Sequence, residues 1–388
     1  MDFRLGQKSD ALRARTAAFL DEVLTEEMLE RCYRTGTNHD SDFAKALAAE
    51  GLLALDWSPE LGGGGRDGAE LLGYREEMQR RNAPVYAIGT TMTVSHVIAL
   101  MGTTEQRDEI VPKALRGEIV IALGFTEPEN GSDAAAAATR AERSGDGWRI
   151  NGSKMFTTNA QIADYVFMLA RTNPEVSKHR GLTTFLVPLD QPGVEVQEVR
   201  TMSGERTNIT FYNDVFVSDA WRIGDVDGGW NVMGAAFMHE HTAAFVGEQI
   251  RLVDAFTAWA REARSEDERP RAEDPAIRER IGRSHTEIEV SLLLQRRAVT
   301  RGVDDLDAHG RGSMAKLFST ERLELQADQT LELVGPDGLR AWGDPTTLQD
   351  GEIEHAVRNA KGTTIYAGTS EIQRNIIAQH VLGLPRPY

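Results

Sequence analysis

The sequence predicts an α+β chain of several domains: an N-terminal helical domain over 1–120, a middle antiparallel β-barrel or sandwich over 121–228, and a C-terminal helical domain over 229–388. Three observations predict it. The 388 residues are enough for two or three separate cores. Apolar residues recur at helical spacing in the first and last thirds. Between them lie short runs rich in β-branched and aromatic residues, punctuated by Gly, Pro, Asn and Asp.

In the first domain Leu12, Phe19, Leu20 and Val23 mark one helix face. DFAKALAAEGLLAL (42–55) and LLGYREEMQRRNAP (71–84) continue the period. SPELGGGGRDG (58–68) between them reads as a plain flexible loop. It holds a literal G-x-G-x-x-G at Gly63, Gly65 and Gly68, but a dinucleotide fingerprint needs a preceding strand inside a βαβ unit, and here the surroundings are helical.

From about residue 121 the period changes. IVIALGF (119–125), ADYVFMLART (163–172), GLTTFLVPLD (181–190), GVEVQEV (193–199) and NITFYNDVFV (208–217) carry strand signals. No helical pattern separates them, which favours antiparallel pairing over a doubly wound sheet. After Gly228 and Gly229 the helical period returns. Trp230, Met233, Phe237, Ala244, Val246, Ile250, Val253 and Phe256 outline one long helix, which SEDERPRAEDP (265–275) breaks. Helices over 276–299 and 311–334 follow, and the chain end makes another.

Composition bounds the function. A formal charge of −17 argues against a nucleic-acid surface. The chain opens MDFRLGQKSDALRAR, with no apolar signal core, and it has no apolar run of about 18 residues, so a cytoplasmic, non-membrane protein is expected. A single cysteine, Cys32, excludes an intramolecular disulfide and a multi-cysteine metal site. His239 and His241 flank Glu240, but residues two apart on a helix diverge, and no metal is expected.

Chemistry concentrates in three motifs: GFTEPENGSD (124–133), GSKMFTTNA (152–160) and IYAGTSEIQR (365–374). A turn proline, glycines and small hydroxyl residues suit backbone amides brought close to a planar polar ligand. Alone, the first motif also reads as a capped turn, with Asp133 starting a helix-like AAAAATR. Glu240 shares its expected helix face with Phe237 and Ala244. A lone helical glutamate is usually solvated. A carboxylate in an apolar pocket instead has its pKa raised by desolvation, toward a value useful to a general base.

In order, spacing and wording, the three motifs resemble the acyl-CoA dehydrogenase family, flavoproteins that carry FAD, and the likeness covers nearly the whole chain. The resemblance implies that family's fold, with a four-helix-type bundle in the C-terminal domain. It implies that Leu123 to Ser132, including Phe125 and Gly131, lies along the flavin ring, with Thr126 and Ser132 hydrogen-bonding its polar edge. Phe156, Thr157 and Thr158 match the second flavin-contacting strand; the aromatic stacks on the isoalloxazine and Thr158 bonds near N5. The family more often has tryptophan where Phe156 stands. Gly335, Gly338, Thr369 and Glu371 match further cofactor-side positions, and Ser132, His241, Ala367 and Gly368 match substrate-side ones.

Departures from the family pattern are informative. Many members place the catalytic glutamate immediately before the Gly-Thr; this chain has Ala367, which cannot take a proton. Its backbone N–H remains, and in the family that N–H helps hold the thioester carbonyl. A subset carries the base on the long C-terminal-domain helix, where Glu240 aligns, although the arginine that usually follows is His241 here. The Arg-x-x-Phe-Gly segment with which homotetrameric relatives reach a neighbour's flavin pyrophosphate is absent from AREARSEDERPRAEDPAIRER (260–280), and LVGPDGL (333–339) puts Pro336 in the Gly-Gly turn.

The resemblance therefore implies FAD-dependent α,β-dehydrogenation of an acyl-CoA of the kind used in β-oxidation and lipid metabolism. Glu240 is the implied base and an electron-transferring flavoprotein the implied acceptor, in a homotetramer or a heterotetramer with a related subunit. A flavin monooxygenase or oxidase on the same scaffold, or a non-catalytic subunit completing a partner's flavin site, stays open on these residues. The acyl chain is not legible in them.

Overall fold

The computed structural model describes residues 5–240, 245–299 and 308–385. Contacts divide the chain into two compact units, Met1–Ala18 with Gly68–Ala83 and His241–Tyr388, and Phe19–Asp67 with Pro84–Glu240. Six helices come first: α1 (Gln7–Val23), α2 (Glu26–Thr35), α3 (Ser41–Ala49), α4 (Leu72–Arg80), α5 (Tyr86–Met101) and α6 (Thr104–Leu115). Their starts are legible in side chains: Asp40 accepts from the Asp42 and Phe43 amides, and Thr103 and Gln106 form a reciprocal capping box.

Eight strands follow: β1 (Ile121–Gly124), β2 (Arg140–Ser144), β3 (Gly147–Lys154), β4 (Tyr165–Arg171), β5 (Leu182–Pro188), β6 (Val194–Arg200), β7 (Arg206–Ser218) and β8 (Arg222–Ile223). They form one sheet in the order β6-β7-β3-β2-β4-β5-β8, with β1 also on β4. Most pairings are antiparallel, as expected, but β1 and β2 each meet β4 in parallel. Val166, Met168, Ala170, Phe185, Val187 and Tyr212 fill the core on one side. On the other, Val94, Val97 and Ile98 of α5 close over Ile121, Phe167 and Leu186. Gln106 pins α6 to this sheet by donating to the carbonyls of Ala220 and Arg222 at 2.6 and 2.8 Å.

Helix α7 (Gly229–Glu240) ends this unit. The other unit holds α8 (Val246–Glu262), α9 (Pro275–Val299), α10 (Ala308–Val334), α11 (Glu352–Thr363) and α12 (Ser370–Ile376), which runs into a π turn. Leu252, Phe256, Trp259, Ile277, Leu323 and Ile353 form its core. Helix α4 belongs to this unit because Gly247 lets α8 approach it: a Cβ at Gly247 would sit 2.4 Å from the Gln79 Cβ.

Three expectations are corrected. The long helix over 230–256 is two helical spans, because Phe245, immediately before α8, has φ −84° and ψ 43°; residues 241–244 lie outside the described set. The Gly-rich stretch is a tight loop, its Gly63, Gly64 and Gly65 amides donating back to Ser58, Ala54 and Trp57. A Cβ at Gly63 would lie 2.3 Å from the Trp57 Cβ, so close packing explains that glycine. The AAAAATR run is not a helix. Only Ala134–Ala136 make a single 3₁₀ turn, and the chain then extends into β2, half of a hairpin that composition did not reveal.

The reason is a buried ion pair. Glu127 accepts the amides of Ala138 and Thr139 at 2.7 and 2.9 Å, taking donors a helix would use, while Ala135 and Ala137 alternate inward against Leu169 and Leu182. Its carboxylate is bonded to the Lys154 ammonium at 2.7 Å, with the two side chains 5 % and 0 % exposed. Burial opposes ionisation of Glu127, but Lys154 and the two amides outweigh it and hold the carboxyl below its ordinary range. Burial brings Lys154 down to about 8. Since Glu127 is the stronger acid when folded, its contribution to stability is present at neutral pH and lost as pH falls through the lowered pKa.

Glu127→Gln leaves Lys154 without a counter-charge and is expected to destabilise the protein by about 3 kcal/mol. Urea denaturation of the single variant and of Glu127→Gln/Lys154→Met checks this. The double variant should recover part of the loss, and an equal loss in both would show that the charges are not coupled.

Candidate active site

Motifs one and two are brought together where β1 and β3 end. The Met155 N–H donates to the Thr126 carbonyl at 2.8 Å, and Lys154 reaches the Phe125 carbonyl at 3.4 Å as well as Glu127. The chain after β3 does not continue as a strand, which corrects the expectation for 156–158. It turns, with Phe156 at φ 58° and Asn159 at φ 68°. A bulky residue in the left-handed region needs outside support. Asn208 supplies it: its carbonyl accepts the Thr157 N–H at 2.8 Å and its amide donates to the Thr157 carbonyl at 3.0 Å. The Thr157 hydroxyl bonds Thr210 at 3.2 Å and the Thr158 hydroxyl bonds Thr207 at 3.0 Å.

Thr157 is therefore fully buried and acts as the fastener of the turn, not as a surface for a ligand. Phe156 is the outward group, 54 % exposed. Leu123 and Phe125 are half-buried and pack into the core, Phe125 edge-on to Phe167 with centroids 5.8 Å apart. Gly131 and Ser132 are exposed just after the turn that Glu127 and Asn130 close, and Thr126 and Thr158 are partly exposed. An outward aromatic ring beside turn amides and hydroxyls fits the planar ring of a flavin.

After the first motif lies an open cleft of about 400 Å³ lined by Arg140, Arg171, Lys178, Val176 and Ala136 to Ala138. Arg171 braces it through the carbonyls of Ala135, Ala137 and Lys178 at 2.6, 3.2 and 2.7 Å. Lys178 pairs with Asp133, the residue after Ser132. The sequence reading missed this basic wall. Its only trace there is the spacing of basic residues across the turn between β4 and β5.

Helix α7 is fixed at its start. Asp227, at φ 62°, donates its N–H to the Thr183 hydroxyl at 2.8 Å and accepts the Thr172 hydroxyl at 2.5 Å. A Cβ at Gly229 would fall 2.9 Å from the Leu182 carbonyl oxygen, so glycine is required where the helix meets β5. Glu240 is the last helical residue. Its side chain, and the whole of His241, lie outside the described residues.

In the other unit, motif three forms a loop closed by the Ser370 N–H on the Thr364 carbonyl at 3.0 Å. Ala367 and Gly368 are both left-handed, at φ 53° and 84°. Their carbonyls are held by the Gln373 amide at 3.0 and 3.3 Å, and Gly368 is held also by Lys316 at 2.8 Å. Among the described residues no backbone carbonyl takes the Ala367 N–H.

Thr369 caps α12 through the Ile372 amide, so its hydroxyl serves the helix. Glu371 is exposed, its carboxyl held below the usual range by its own backbone N–H and by Thr369. Gly335 is left-handed in the turn after α10. Gly338 is buried against Leu331, Val334 and Ile353, a packing position. Lys316 and Asn208 were not anticipated, because distant elements bring them to the motifs, and Gln373, inside the third motif, was given no role. Among the described residues no cluster of three metal-ligating side chains occurs.

Comparison with known proteins agrees with this arrangement. Three family models match in order: acyl-CoA dehydrogenase N-terminal domain over 6–118, middle domain over 122–215 and C-terminal domain over 227–382. The chain is similar to acyl-CoA dehydrogenase FadE26 of Mycobacterium tuberculosis, 31% identical over 392 residues and covering 98% of each. Among solved structures it is similar to a chain of the ChsE4-ChsE5 complex from Mycobacterium tuberculosis, with TM-score 0.92, 29% identity and 100% of both chains covered. It is also similar to a chain of the Tcur3481-Tcur3483 steroid ACAD, with TM-score 0.90, 30% identity and 100% of both covered. The chain belongs to the acyl-CoA dehydrogenase family, oxidoreductases acting on CH–CH bonds with FAD as cofactor.

Proposed function

We propose that this chain dehydrogenates a bulky, ring-bearing acyl-CoA thioester to its trans-2-enoyl-CoA, with Glu240 as base, inside an assembly with a related subunit. The observation that carries the reading is a division of labour. Position 367 offers a left-handed N–H that no carbonyl takes among the described residues, and no carboxylate; a carboxylate closes α7 instead. Phe156, with the turn at Thr126 and Ser132, would hold the flavin ring, and the cleft walled by Arg140 and Lys178 would take the CoA phosphates. When bound, FAD supplies the hydride acceptor. Glu240 removes the α-proton as the β-hydrogen leaves, and the Ala367 N–H donates to the thioester oxygen as it gains enolate character. Electrons then pass to an electron-transferring flavoprotein.

Two supports come from similar proteins. The ChsE4-ChsE5 and Tcur3481-Tcur3483 structures are named as pairs of different chains, and the second is named a steroid ACAD. The missing Arg-x-x-Phe-Gly segment in 260–280 fits a chain that relies on a partner for the flavin pyrophosphate. Ala367 alone favours a second reading, a subunit that completes a partner's site without turnover of its own.

Glu240→Gln is expected to bind flavin normally and to bleach it at least about 10²-fold more slowly when acyl-CoA is added. A screen over short, branched, long and steroid-derived acyl-CoAs, with and without candidate partner chains, measures this. Near-normal bleaching by the variant would remove Glu240 from the mechanism and leave the second reading. Purified alone with saturating FAD, the chain should hold less than one flavin per chain. A yellow homotetramer at full occupancy would refute the two-chain assembly.

A further inference from the structure

Lys316 sits on α10 with 5 % of its surface exposed. Its hydrogen bond runs 2.8 Å to the Gly368 carbonyl, and Glu321 and Glu371 act on its charge through space. A buried ammonium that bonds a neutral carbonyl is costly to keep, and burial has brought its pKa down to about 8. What it grips is informative. Gly368 follows Ala367, a non-glycine residue in a conformation disfavoured by about 1–2 kcal/mol. Gln373 holds the same two carbonyls from α12, with its longer contact, 3.3 Å, on Gly368. Lys316 is thus the shorter hydrogen bond on the second of two consecutive left-handed residues.

We propose that Lys316 is a positioning residue for the reaction. By anchoring the Gly368 carbonyl it keeps the Ala367–Gly368 turn left-handed and leaves the Ala367 N–H to a thioester oxygen. The inference rests on the role given to Ala367 under Proposed function. If the anchor is lost, the Gly368 carbonyl keeps only the longer Gln373 contact, and Ala367 has less to hold it in its disfavoured region. The charge adds a second effect, because a cation beneath the loop favours the negative oxygen that develops nearby.

The test uses flavin-loaded protein, complexed with its related subunit where flavin occupancy requires one. The probes are the acyl-CoA bleached fastest in the screen above and its thioether counterpart, in which methylene replaces the carbonyl. Lys316→Met should weaken the thioester about three- to tenfold and leave the thioether unchanged. Lys316→Arg should recover part of that loss, and Lys316→Gln repeats the test should the Met variant fold poorly. Hydrogen exchange in the flavin-free protein should quicken at the amides of 366–369 in the Met and Gln variants. Equal weakening of both probes, or of neither, would overturn the proposal while bleaching by wild type still supported the dehydrogenase reading. If no acyl-CoA bleached wild type, both would fall together.

Discussion

Between Glu127 Oε1 and Lys154 Nζ lie 2.7 Å of protein interior, and neither side chain is more than 5 % exposed. Charges so placed give little net stability, since desolvation offsets most of their attraction, but breaking one partner from the other is severe. Glu127 stands in the first motif and Lys154 in the second, so the pair locks two stretches 27 positions apart together. Through the amides of Ala138 and Thr139 the same carboxylate unwinds the alanine run and starts β2. The exposed ring of Phe156 follows two residues after Lys154 and inherits that placement.

Two of the candidate residues are non-glycine residues in the left-handed region: Phe156 in the turn after β3 in one unit, and Ala367 just before α12 in the other. Each is held by polar groups from elsewhere in its own unit. Asn208, Thr207 and Thr210 of β7 fasten the turn that follows Phe156, and Gln373 and Lys316 fasten the Ala367–Gly368 carbonyls. Backbone strain of this kind persists only where surrounding structure over-determines it, and functional sites are where it collects. The shared device is a buried side chain spent on a main-chain carbonyl or amide, leaving an outward group for a ligand.

The chemistry expected of the family needs a hydrogen-bond donor for the carbonyl and a base for the α-proton, and these need not come from one residue. An N–H is available from any non-proline backbone, so alanine at 367 keeps the donor. The base can then sit on another element, provided that element is fixed. Helix α7, which carries the proposed base Glu240, is fixed at its first turn, where Gly229 lies against β5, Asp227 bonds Thr172 and Thr183, and Trp230 meets His179 edge-on at 4.7 Å.

Much of this was legible in the residues because it depended on local pattern. The 3.6-residue period announced α9 and α10, and β-branched runs announced β4, β5, β6 and β7. The three motifs were visible as candidates for chemistry, and Ala367 against Glu240 was visible as a departure. The hairpin of β2 and β3 was not, because five alanines carry no preference strong enough to resist a carboxylate that captures their following amides. Nor was the tight packing of the Gly-rich loop, the burial of Thr157 or the grip of Lys316 on Gly368. Those are long-range contacts, and a one-dimensional pattern reports which groups can bond but not which will meet. The sequence by itself determined most of the element types, the family and the residues available for chemistry. Only the tertiary structure decided which polar side chains are spent internally and which groups are left outward, because that choice is made by burial.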